Sequence, residues 1–222
     1  MMKNNHTKKP EQRLTAALLL TYFILIMVAF IFKKYLPFVR LYLWNIFLAF
    51  LPLLFAILIS KSIQKKRKIF SILFSFLWVI MFPNGPYMIT DLAHLNLYKI
   101  SFGFTISTFH SAWLGFLFAI FAVIDGVMMG MLSLYFVNKF IKNKFGVFFS
   151  WIFILFISVI SGLGIYIGRF MRLNSWDIFK HPLNIINMVT MQLNAHTLGF
   201  VILFAIMNLA LYWLFYLTFN KK

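Results

Sequence analysis

The sequence predicts an all-α integral membrane protein with about six transmembrane helices in one bundle, joined by short loops and one or two short interfacial helices. Three observations predict it. The chain is 63% hydrophobic, where soluble domains hold roughly 45–50% apolar residues. Only 11% of its 222 residues are charged. The apolar residues also fall into separate runs, most of them near the roughly 20 residues that cross a hydrocarbon core of about 30 Å. In hydrocarbon, such runs satisfy their own backbone only as helices.

The first run covers about 14–32 and follows a basic stretch with Lys3, Lys8, Lys9 and Arg13. A signal peptide also begins this way. This run is long and lacks a small-x-small cleavage site, so it reads as an uncleaved helix. The second covers about 41–59. The third follows Lys65-Lys66-Arg67-Lys68 and covers about 69–82. The remaining three cover about 112–136, 146–167 and 197–219. The stretch 183–195 is apolar, dotted with Asn and Gln, and too short to span, which suits a helix lying in the interface. Six runs with their connections fill residues 1–222, so we expect a single polytopic membrane domain and no separate soluble one.

Charge sets the orientation. There are 21 Lys and Arg against 4 Asp and Glu, a net charge of +17. In a soluble chain such a balance suggests nucleic acid. Here the bases sit in short loops and tails, which points to bilayer topology and anionic headgroups and away from nucleic acid. Fourteen bases fall on the side of the two termini and seven on the other. That bias places both termini in the cytoplasm. The two most polar connections, 83–111 and 168–196, then share the opposite face. There is no cysteine, which removes disulfides, thiolate nucleophiles and zinc ribbons.

Two motifs lie on that shared face. The first is Phe82-Pro83-Asn84-Gly85-Pro86-Tyr87, followed by Thr90-Asp91-Leu92-Ala93-His94-Leu95. Two prolines break a helix and free backbone groups that then need partners. Thr90 is expected to cap a new short helix with Asp91 in its first turn. Asp91 and His94, three apart, share one face of it. Such a pair suits a divalent metal or an acid–base couple, and equally a polar rim.

The second motif is Gly168-Arg169-Phe170-Met171-Arg172-Leu173-Asn174-Ser175-Trp176-Asp177, followed by His181. Arg169 and Arg172 can grip phosphate or carboxylate with forked hydrogen bonds. They also suit snorkelling at the interface. Asp177 and His181 repeat the acid–imidazole pairing. The expected polar pocket is therefore Asn84, Asp91, His94, Arg169, Arg172, Asn174, Asp177 and His181. Asp91, His94, Asp177 and His181 are its candidate metal ligands.

Asp125 falls about 18 Å from the cytoplasmic end of its helix, near mid-membrane. An acid there faces a partner or a wet cavity. It suits a proton or cation site, or a protonated acid bonded to a neighbouring helix. Gly126 and Gly130, and Gly164 and Gly168, are each spaced for close helix packing. That packing serves this chain's own bundle, a second copy or another membrane partner. Asn45, His110, Gln192, Asn194 and Asn208 read as single polar residues making helix–helix bonds. No phosphate-binding loop, nucleophile elbow or His-Glu-x-x-His is present, and no residue pattern names a cofactor.

The two motifs together resemble those of a bacterial family of multi-pass membrane proteins catalogued as a domain of unknown function. The resemblance covers essentially the whole chain and implies a bacterial cell-membrane protein. It carries no reaction, ligand or partner. Three classes of function fit the residues. One is capture or transport of a small anionic or lipid-linked ligand. Another is an enzyme acting on lipid-linked envelope substrates. The third is an accessory or assembly protein without chemistry of its own.

Overall fold

A computed structural model describes residues 9–36, 38–98, 109–180 and 182–219. Among these the fold is all helical, without strands. The helices are α1 (Pro10–Ile31), α2 (Val39–Gln64), α3 (Lys68–Met81), α4 (Asn84–Tyr87), α5 (Phe109–Phe145), α6 (Val147–Phe170), α7 (Asp177–Lys180), α8 (Pro182–Met191) and α9 (Ala195–Phe219), with a 3₁₀ helix over Met88–Tyr98. Six spans are long and apolar enough to cross a membrane, as the sequence predicts.

The bundle is built around α5. Of its apolar window, 72% is buried inside the molecule, against 17% for α1. Helices α2 and α6 pack on it, α3 packs on α2, and α9 packs on α6. α1 begins with Pro10 at its first position and Glu11 in its first turn, both favourable at a helix start. The Glu11 carboxylate then accepts a 2.7 Å bond from Lys139 of α5. Nearby, Asn138 donates to the Tyr212 hydroxyl of α9 at 2.9 Å and Lys142 to Tyr216 at 2.8 Å. These contacts close the end of the bundle that carries the termini.

The third span departs from expectation. It does not end at Phe82. The backbone passes the prolines in helical conformation, with Pro83 at φ −56°, ψ −24° and Met88 at φ −51°, ψ −27°. The apolar span therefore runs on to His94. Thr90 does not cap a new helix. It lies inside the 3₁₀ stretch, and its hydroxyl donates to the Tyr87 carbonyl at 2.8 Å. The prolines change the helix type rather than the chain direction. The reason is local: Gly85 N–H turns to the Phe82 carbonyl, and the Asn84 side-chain amide takes the Met81 carbonyl at 2.9 Å. The Met81 and Phe82 carbonyls at the break thus find partners within the protein, as groups at membrane depth require.

Both Gly-x-x-x-Gly pairs serve this segment. A Cβ on Gly85 would stand 2.7 Å from the Gly130 Cα, so the two backbones touch directly. A Cβ on Gly126 would strike Met88, one on Gly164 would strike Pro83, and one on Gly168 would crowd Tyr87. The break is held between α5 and α6 by four glycines that leave it room. Within the chain, these glycines lie against its own third span.

Candidate functional site

At the end of the bundle opposite the termini lies a cleft with two adjoining parts. One is a chamber of about 800 Å³ lined by Arg40, Trp44, Asn45, Asp91, His94, Arg169 and Arg172, among others. The other is an arm of about 500 Å³ reaching into the bundle past Leu48, Val79, Ile80, Ile160, Leu163 and Ile167. Trp44, Asn45, Tyr87, Gly168 and Arg172 border both parts, so the two lie side by side.

Asp91 is the fixed point of the chamber. It is 1% exposed. The Asn45 amide of α2 donates to its Oδ2 at 2.7 Å. The Tyr42 hydroxyl donates to its backbone carbonyl at 3.1 Å. Its Oδ1 accepts no hydrogen bond among the described residues. The ring of His94 stands 3.8 Å from that oxygen and 3.2 Å from the Asp91 carbonyl. A carbonyl only accepts, so the short contact has His94 Nδ1 as the donor.

The three arginines arrive from three places. Arg40 stands in the first turn of α2 and Arg169 in the last turn of α6. Arg172 lies beyond α6, whose cap is Met171, so it does not share a helix face with Arg169 as the spacing suggests. It reaches the chamber because its own backbone turns into the left-handed region, φ 55°. That conformation is uncommon for a residue with a Cβ and costs on the order of 1–3 kcal/mol. No hydrogen bond or ion pair from the described residues engages any of the three guanidiniums.

The remaining predicted residues divide. Asn84 and Asn174 border the arm. Asn84 also donates to Ser175 at 3.1 Å, tying the proline break to the loop after α6. Asp177 borders neither part. Its carboxylate accepts from the Asn174 backbone N–H at 2.8 Å and so shapes its own loop. His181 and the His110 side chain lie outside the described residues. Among those described, no three His, Asp or Glu side chains gather as a metal shell.

Asp125 lies apart from the cleft, at the contact of α5 with α1, where the Thr21 hydroxyl donates to it at 2.6 Å. The neighbouring-helix bond expected for an acid at this depth is present. Asn208 likewise bonds across helices, to Ser158 at 2.9 Å. Asn45 does so too, but its partner is Asp91, which brings it into the site.

Sequence reasoning passed over Arg40, Trp44, Asn45, Tyr87 and Ser175. A signal for the first two existed: Arg40 and Trp44, four apart, share a helix face. Trp44 further meets Trp176 edge-on at 6.2 Å, joining the head of α2 to the loop after α6.

No curated protein and no solved structure matches the chain. A family model does, over residues 44–211, which takes in the proline break, both glycine pairs and the Arg169–Asp177 loop, so the chain belongs to the family described as protein of unknown function, DUF1361.

Proposed function

We propose that this protein captures or moves an anionic ligand at the outer face of a bacterial cell membrane, with both termini in the cytoplasm. One observation carries the reading. Three arginines line one chamber with a single carboxylate, Asp91, among them, and among the described residues no hydrogen bond or ion pair within 4 Å engages their guanidiniums. Guanidinium groups hold phosphate and carboxylate in forked, charge-assisted geometry. Arg40 and Arg172 are exposed and Arg169 is half-buried, and three cations lining one space with one carboxylate give it a positive potential that favours an anionic occupant. The orientation rests on the fourteen bases at the terminal end against seven at the cleft end, the bias that marks the cytoplasmic side.

The test is direct. The protein is purified in native lipid, and bound species are weighed by native mass spectrometry beside an Arg169→Gln/Arg172→Gln variant. We expect an anionic species on the parent and at least a tenfold loss on the variant. Equal recovery would remove the reading. A C-terminal reporter tests the orientation and is expected to be active only in the cytoplasm.

The Asp91–His94 couple favours a second reading, an enzyme on lipid-linked substrates. Arginines hold the anion in that case, and the imidazole moves a proton. Asp91→Asn separates the two. Turnover would collapse while binding persists if the couple is chemical, because the isosteric amide keeps the Asn45 contact but not the base.

A further inference from the structure

We infer that the ligand is a membrane lipid bearing a terminal phosphate. Its headgroup would occupy the arginine chamber, and one hydrocarbon chain would occupy the apolar arm. The inference rests on the anionic reading above and adds what kind of anion it is.

Three observations carry it. First, chamber and arm adjoin, with Arg172 and Trp44 on the border of both, so one ligand can bridge them. A small soluble anion would fill only the first. Second, the arm changes chemistry with depth. Its polar side chains are Asn84 and Tyr87 of the proline break, Arg172, Asn174 and Ser175 of the loop after α6, and Asn45 of α2. Beyond them come Leu48, Val79, Ile80, Ile160 and Leu163, which have no group for a polar ligand.

Third, the depth matches one leaflet. Leu48 lies eight residues past Arg40 in α2, and Ile160 lies nine before Arg169 in α6. At 1.5 Å per residue the arm reaches about 12–14 Å below the arginines. Half of a hydrocarbon core of about 30 Å is about 15 Å. A lipid in its ordinary orientation therefore fits the cleft without being lifted, its phosphate level with the arginines and a chain alongside α2 and α6.

A terminal phosphate suits the chamber better than a zwitterionic headgroup. Choline or ethanolamine would bring its own cation beside three guanidiniums, whereas a phosphomonoester brings up to two negative charges and three free oxygens for forked bonds.

The experiment uses the full chain in phosphatidylcholine nanodiscs doped with phosphatidic acid carrying a photoactivatable diazirine near the chain end. Labelled peptides are mapped by mass spectrometry. We expect labelling in the peptides holding Leu48, Ile80 and Ile160–Leu163, suppressed at least fivefold by excess unlabelled phosphatidic acid. A phosphatidylcholine probe with the same chain should label them at least fivefold less. Arg169→Gln/Arg172→Gln should lower arm labelling at least tenfold, while ordinary labelling persists at exposed Phe23 and Ile72, which reports that the bundle is intact. Labelling confined to such outward residues, alongside arginine-dependent binding of glycerol 3-phosphate from solution, would overturn the inference and leave the anionic reading standing. Loss of neither lipid nor glycerol 3-phosphate binding in the double variant would overturn both.

Discussion

Asp91 and Asp125 are both buried acids, 1% and 3% exposed, and each leaves one carboxylate oxygen without a hydrogen-bond partner among the described residues. Their settings differ. Asp91 is held by Asn45 at its carboxylate and Tyr42 at its carbonyl, with His94 and Arg169 beside it. Asp125 has one side-chain partner, Thr21, from the least buried span. The first is a fixed group in a cationic cleft. The second is a pin between two helices. Burial alone does not separate a site from a structural acid; the number and charge of the surrounding groups do.

The sharpest break of this comparison is Gly85→Ala. The new methyl would stand 2.7 Å from the Gly130 backbone, which cannot move as a side chain can. Overpacking of this kind costs about 1–3 kcal/mol, and contact with backbone belongs at the upper end. The displaced segment carries Asp91, so we expect about 3 kcal/mol of lost stability in mixed-micelle unfolding and loss of anion binding. The Thr21–Asp125 contact lies on the α1 side of α5 and should survive, read as unchanged hydrogen exchange in α1. Exchange that rises along α1 as well would show that the two regions are not independent.

The next effect is Asp91→Ala. Removing the carboxylate leaves the half-buried Asn45 amide without this acceptor, and hydrogen bonds to charged groups contribute about 1.5–3 kcal/mol. We expect a loss in that range, with Asp91→Asn recovering most of it. The amide variant also removes the one negative charge in the chamber. Phosphate binding should therefore tighten a few-fold, and a tenfold weakening would show that the carboxylate itself contacts the ligand.

These regions were unequally legible in the sequence. The six spans followed from apolar run length, because a continuous apolar run of that length satisfies its own backbone in hydrocarbon as a helix. The Asp91–His94 pairing followed from a local three-residue spacing. What escaped depended on distance or on packing. Pro83-Asn84-Gly85-Pro86 reads as a helix end, and only its seat between the four glycines shows why the span continues to His94. Asn45 looked like an isolated polar residue because its partner lies 46 positions away. Arg40 looked like one more loop base. The route of Arg172 into the chamber depends on a positive φ that nothing in its local sequence announces. Asp177 looked like a site acid, yet it spends its carboxylate on its own loop.

The smallest effect tests the other half of the comparison. Thr21→Val removes the one side-chain partner of Asp125. In membranes such bonds average about 0.6 kcal/mol and reach about 1.7 at most, because the unfolded helix also finds partners. Here the Thr21 hydroxyl has a single hydrogen and also lies 2.9 Å from the Leu18 carbonyl of its own helix. With the Ala17 carbonyl at 3.2 Å, three acceptors compete for that hydrogen, which places the expected loss near the lower figure. A double-mutant cycle of Thr21→Val with Asp125→Asn isolates the coupling. We expect about 0.6 kcal/mol, together with faster exchange in α1 and undiminished lipid-phosphate labelling in the cleft. Coupling above about 2 kcal/mol, or loss of that labelling, would place Asp125 in the cleft's machinery and end the contrast between the two acids.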